Sequence, residues 1–395
     1  MKKILCFIIC LSILLAGCAA QNTNETQAEA TNNTENVVAD NYATEPITIL
    51  PQQEAMYAVS VPAVSENAYS EDGTVIFSYT RQSMMLTLPD PDVADKIIID
   101  FLSRIDSHTD SAEAVLSAAK ANYNDSADWT PYLYNHTYSP TRMDQGVLSL
   151  FGNSVAYSGA SHPERLCMAA NYDLVTGDVL TLGSIMSAQA TTSDFCALVL
   201  EKLEKTKDSN QLYDGYESTV KQRFNKDESQ DQDWYFSTNG LCFYFVPYDI
   251  APYVSGVIVA EIPYSELTGL IYDGYFPAER EAITGSIKAT TADKTDVSQF
   301  TQIAELTLNA DGQQVFLYTD SIIWDVKLEY GAWDVSHSSF APVYTTFFSG
   351  TLSPGDAVMV QSDEFTALRL SYYNGTETVV QYFNQAVNNV QLIAQ

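Results

Sequence analysis

The run Tyr157-Ser158-Gly159-Ala160-Ser161-His162-Pro163-Glu164, with Cys167 just beyond it, places a hydroxyl, an imidazole and a thiol close together. Hydrolytic chemistry from such a set would need Ser161 or Cys167 as nucleophile and His162 as its base. The spacing argues against this. A nucleophile elbow requires Gly-x-Ser-x-Gly between a strand and a helix, and neither this run nor Gly152-Asn153-Ser154 supplies it. Neighbours in sequence also rarely face each other as nucleophile and base. The run is therefore read as a tight loop between two strands, with His162 packing or hydrogen bonding locally. Tyr157, Ser158, Ser161, His162 and Pro163 form the candidate ligand loop. The alternative is a wall-glycan hydrolase, deacetylase or accessory factor that uses His162.

Other reactive types are scattered. Asp173 and Asp178 flank a turn and suit turn capping better than general acid–base work. Asp227-Glu228, Asp231 and Asp233 form an acidic loop that lacks the Gly and terminal Glu of an EF-hand, so it reads as solvated. His108, His136 and His337 are isolated, with no H-x-x-x-H, H-E-x-x-H or phosphate-loop pattern. Cys167, Cys196 and Cys242 contain no C-x-x-C; Cys196 and Cys242 lie in apolar contexts and read as buried free thiols. No cofactor, metal site or catalytic constellation is expected. Aromatic residues crowd Trp129–Tyr138 and Phe236–Tyr253. Buried, they are core; exposed, they would stack on sugar rings or anchor a protein.

The composition narrows the partners. Against 19 Lys+Arg stand 50 Asp+Glu among 395 residues, a net charge of −31. That excludes nucleic acid and basic anchoring on anionic lipid, and it favours cationic partners. Met1-Lys2-Lys3, an apolar run from Ile4 to Leu15 and Leu15-Ala16-Gly17-Cys18 resemble a bacterial lipoprotein signal peptide over residues 1–17. Cys18 is then the expected lipidated residue, and a lipid on the extracytoplasmic face the only membrane attachment. Residues 18–70, poor in Gly and without Lys or Arg, read as a disordered acidic tether. A coil of ~50 residues spans about 40 Å.

The remainder divides into two patterns. Over residues 71–280 helices alternate with hairpin-linked strands, which predicts an α+β fold with an antiparallel meandering sheet and packed helices. Strands are expected at Thr74–Thr80, Val147–Tyr157, Leu166–Tyr172, Asp178–Leu182 and Leu241–Val246. Asp90-Pro91 opens a helix with Val93, Ile97, Phe101 and Ile105 on one face. A capping box at Asp110–Glu113 opens a second, and others are expected at Thr192–Leu203 and Asp214–Phe224. Over residues 283–395 helix signals fade, and about seven short strands predict an all-β, sandwich-like region.

Three separated runs carry a family likeness. They are Tyr138–Arg142 leading to Tyr157–Pro163, then Asn171–Leu182, then Gly240–Gly256 closing on Ile262-Pro263-Tyr264. In order and spacing they resemble the paired extracytoplasmic domains of RsiV-type anti-sigma factors, which also precede the catalytic domain of PdaC-type peptidoglycan deacetylases. The likeness spans about residues 71–270. It implies a non-catalytic α+β binding domain, and in the anti-sigma members that domain binds lysozyme. The loop reads Gly-Ala-Ser-His where the family often carries Gly-Gly-Ala-His, and no deacetylase domain or sigma-binding segment is recognisable. The expected partner is thus a cationic, lysozyme-like protein or wall glycan.

Overall fold

The computed structural model describes residues 56–124, 128–225, 233–278, 285–332, 343–374, 376–386 and 389–394. The signal peptide, Cys18, the tether up to residue 55, Asp227, Glu228, Asp231 and His337 lie outside these residues. Residues 56–70 do not behave as tether. Ala58–Ser60 (β1) and Ala63–Tyr69 (β2) are strands, and Met56, Ala58, Val59 and Val61 are at most 2% exposed. Val75–Gln82 (β3) and Met85–Thr87 (β4) follow. Val59 and Val61 enter the core that holds Met84 and Leu86, and Met56 and Ala58 one that holds Val326 and Phe348, which outweighs the polar composition around them.

Two helices follow. Pro91–Asp106 (α1) begins where Asp90 Oδ1 accepts the Asp92 N–H at 3.0 Å, and it buries Val93, Ile97, Phe101 and Ile105 as its period demands. Thr109–Asn122 (α2) differs from expectation at its start. His108, without a side-chain cap, precedes it, and no Asp110–Glu113 box forms. Both helices cover the sheet made by β2, β3, Tyr132–Met143 (β5), Val147–Tyr157 (β6) and Glu164–Asp173 (β7), in that order. Neighbours are antiparallel except β3 and β5, which run parallel.

The expected strand at Asp178–Leu182 shrinks to one bridge between Tyr172 and Val179. Thr181 and Ser184 cap each other instead and open the short helix Leu182–Ile185 (α3). Thr192–Lys205 (α4) starts with Asp194 accepting the Thr191 N–H at 2.8 Å, and Tyr216–Phe224 (α5) follows. They pack on a three-stranded antiparallel sheet of Trp234–Phe236 (β8), Gly240–Phe245 (β9) and Ile258–Pro263 (β10). Every residue of β9 is buried.

The C-terminal strands are Ile287–Thr291 (β11), Gln302–Thr307 (β12), Gln313–Thr319 (β13), Ile323–Ala332 (β14), Val343–Leu352 (β15), Asp356–Ser362 (β16), Leu368–Tyr373 (β17), Thr378–Ala386 (β18) and Asn389–Ala394 (β19). They form two sheets, β11-β13-β16-β12 and β19-β18-β17-β14-β15-β1-β4. Val315, Leu317, Val358 and Val360 of the first share a core with Val326, Leu328, Phe348 and Leu370 of the second. That is the sandwich-like arrangement expected, with one parallel pair, β12 and β16.

The N-terminal segment completes this sandwich. β1 lies between β15 and β4, pairing Val59 with Ser349 and with Leu86. The two regions therefore share a sheet, and Pro51–Gln395 cluster as one compact unit. A chain beginning at residue 71 loses β1 and its buried side chains. At ~2 kcal/mol for each of the large apolar side chains of Met56, Val59 and Val61, it is expected to be about 6 kcal/mol less stable than one beginning at residue 56. Urea midpoints measure this, and equal midpoints would show that β1 contributes nothing.

Candidate functional site

The β6–β7 loop takes its shape from Gly159. Its φ of +89° suits glycine, and a Cβ there would lie 2.6 Å from the Tyr132 hydroxyl. Tyr157 packs edge-on against Tyr132 with ring centres 5.9 Å apart. Beyond the glycine the chain runs over the surface, so Ser158, Ser161 and His162 are exposed and Pro163 is half-buried. A second loop, between β9 and β10, meets it. The His162 ring stacks on Tyr253 at 4.4 Å and 25°. Its Nε2 lies 3.4 Å from the Tyr248 hydroxyl, and Tyr253 donates to the Pro163 carbonyl at 3.0 Å.

Arg223 on α5 positions that second loop. It donates to Asp249 at 2.7 Å and to the Tyr244 carbonyl at 2.8 Å, pairs with Asp233 at 3.2 Å and lies over the Phe245 ring at 4.7 Å. Asp249 also accepts the Val246 N–H, while Ile250 and Ala251 are buried beneath the turn. Tyr248, at a φ of 75°, is thereby turned outward and is 58% exposed; Val254 beside it is 80% exposed. The result is an outward-facing patch of His162, Tyr248, Tyr253 and Val254.

A nucleophilic pair does not assemble here. Among the described residues Ser161 makes no hydrogen bond to His162. The Cys167 thiol donates to Asn153 at 3.4 Å, and burial pushes its pKa up to about 11, away from thiolate. Cys196 and Cys242 are buried and free, as their apolar contexts predicted. Asp173 caps its turn by accepting from Val175 and Thr176, and Asp178 pairs with Lys96 at 2.6 Å. Among the described residues no three His, Cys, Asp or Glu side chains converge as a metal site.

His108 and His136 are not isolated in space. Their rings stack at 3.7 Å. Ser154 donates to the Tyr134 hydroxyl, which leaves that hydroxyl's proton for His108 Nδ1, 2.9 Å away. His136 is 1% exposed, and neither ring nitrogen has a protein partner. Burial, with His108 adding to it, lowers the His136 pKa to about 3. His108 is lowered too, by burial. A histidine held neutral stabilises the fold above its unfolded pKa of about 6.5 and loses that contribution as pH falls toward the folded value. His136→Phe is expected to flatten the acid side of the stability–pH curve by up to about 3 kcal/mol between pH 7 and pH 4. Urea midpoints across that range test it, and parallel curves for the two proteins would refute it.

The 157–163 loop is legible in the sequence; its partners in space are not. Tyr248 and Tyr253 stood within a recognised aromatic run; nothing local separated them from buried Tyr244. Comparison with known proteins adds a family. Residues 185–265 match the model of a family described as a protein of unknown function (DUF3298). A crystal structure of a DUF3298 family member from Bacteroides fragilis is similar, at 17% identity and a TM-score of 0.41, over 56% of this chain and 96% of that one. Another, of a DUF3298 family protein from Pseudomonas aeruginosa, shows 16% identity and a TM-score of 0.34 over 56% and 97%. No curated protein matches the chain. The stretch that carries α4, α5, β8–β10 and the Tyr248–Tyr253 loop is the part of the chain that matches the DUF3298 family model.

Proposed function

We propose that this protein is a lipid-anchored, extracytoplasmic binding protein that recognises a cell-envelope or host partner through the His162–Tyr248–Tyr253 patch. The observation that carries the reading is the patch itself. The exposed His162 ring is stacked on the half-buried Tyr253, and the exposed Tyr248 ring is tilted against both. Such surfaces give rigid contact area at low entropic cost, as binding hot spots do. The partner favoured by the RsiV-type resemblance is a lysozyme-like cationic protein, and the net charge of −31 would steer it inward. The same rings would suit wall glycan by stacking, which makes glycan the competitor to include in the test.

Surface-immobilised kinetics with lysozyme should give a residence time that survives ~0.5 M salt, where the Debye length falls to about 4 Å. Combining Tyr248→Ala with Tyr253→Ala should shorten it at least tenfold while the thermal midpoint stays close to wild type. Binding that vanishes with salt, or that ignores both substitutions, would reduce the interaction to charge adsorption.

The anchor is tested separately. Cys18→Ala should abolish metabolic lipid labelling and release the protein from the membrane fraction or leave it as precursor. Full labelling of that variant would overturn the lipoprotein assignment.

A further inference from the structure

Where β1 passes to β2 and β3 returns to β4, the chain crosses between the two sheets and leaves a cavity of about 370 Å³. That is within the range of small-molecule sites. It shares no lining residue with the aromatic patch. Gln82, fully engaged, braces it: its amide donates to the Val61 and Tyr138 carbonyls at 3.1 and 2.8 Å and accepts the Tyr138 N–H at 2.6 Å. The walls are formed before any ligand arrives. Apolar surface from Val64, Leu308, Tyr330 and Phe347 faces the space, and the first three are at least 37% exposed.

The charged groups that line it are Asp363 and Glu364. Both are exposed, and among the described residues neither side chain makes a hydrogen bond or ion pair. Nearby Glu329, by contrast, is held by Arg369. No Lys or Arg lines the cavity. Apolar walls, two free carboxylates and no cation define one ligand chemistry. We infer that the cleft binds a small organic cation, an ammonium or guanidinium carried on an aromatic or aliphatic body, with the charge at Asp363 and Glu364 and the body against Tyr330 and Phe347. Because the lining comes from three sheets, such a ligand would also brace them against one another.

The test titrates the full chain with phenethylamine by calorimetry, with phenethyl alcohol as the uncharged counterpart. Saturable binding of the amine and at least tenfold weaker binding of the alcohol are expected. Combining Asp363→Asn with Glu364→Gln should weaken the amine at least tenfold without moving the thermal midpoint, since neither side chain has a structural partner. Leu308→Trp, which fills the cleft from its rim, should abolish binding of both. N-acetyl-lysine amide, in a competition arm, shows whether the cation can be a peptide side chain: tighter binding than the free amine assigns the cleft to a basic peptide, weaker binding to a free amine. No saturable amine binding, or amine and alcohol bound equally by wild type and the double variant, would overturn the inference.

Discussion

A single buried guanidinium joins the two halves of the α+β region. Arg142, at the end of β5, is 2% exposed. It pairs with Asp144 at 2.6 Å, and its Nη1 donates to the Tyr264 hydroxyl and the Tyr275 carbonyl at 2.8 and 2.6 Å. The Phe236 and Tyr264 rings lie 5.1 and 5.4 Å from its centre. Asp144 meanwhile accepts the Gly146 and Val147 N–H groups, closing the β5–β6 turn. An unpaired charge at this depth would cost several kcal/mol, so every element that supplies a partner is tied to the others. Lysine would not substitute, since an ammonium lacks the planar fork that reaches three acceptors between two rings.

That junction sets where the aromatic patch falls. Beside it, buried Ser149 donates to Asn171 at 2.6 Å and accepts the Phe236 N–H at 2.9 Å, while Asn171 donates to the Trp234 carbonyl at 3.1 Å. The five-stranded sheet is thus linked to β8 through side chains where strand pairing stops. With β8 held against β6 and β7, the loop after β9 is brought to the loop after β6, and His162 meets Tyr253. The patch is a consequence of two sheets locked at their seam, and neither loop alone would present it.

How much of this was legible follows from the range of each interaction. Strand β6 runs from Val147 to Tyr157 as read, because a turn precedes it and apolar residues open and close it. Helix α1 announced itself by a cap and a four-residue repeat. The segment around Val59 was misread because its partners, Leu86 and Ser349, are supplied by strands far along the chain. A three-residue strand carries too little pattern to declare a distant slot. At the candidate site the limit is the same. Tyr244 and Tyr248 lie four residues apart in one aromatic run, yet one is 2% exposed and the other 58%. What separates them is the end of β9 and the Arg223–Asp249 contact that turns the chain, neither of which leaves a local periodicity.

The imbalance of charge acquires a structural meaning once the cations are located. Arg142, Arg223 and Arg369 each pair with a carboxylate and each lie over an aromatic ring, Arg369 at 3.9 Å from the Tyr344 ring centre. These arginines are spent inside the fold as planar connectors between polar and aromatic neighbours. Each being paired, they offset only their own partners, and the exterior field follows the excess of 50 Asp+Glu over 19 Lys+Arg. A field of that sign draws any cation toward any face and falls with salt, so it sets encounter rate and discriminates poorly. Discrimination must then come from places where uncharged surface is held in a fixed shape. The stacked rings at the seam of the two sheets meet that requirement, because the Arg223–Asp249 pair and the buried Ile250 and Ala251 hold the loop that presents them.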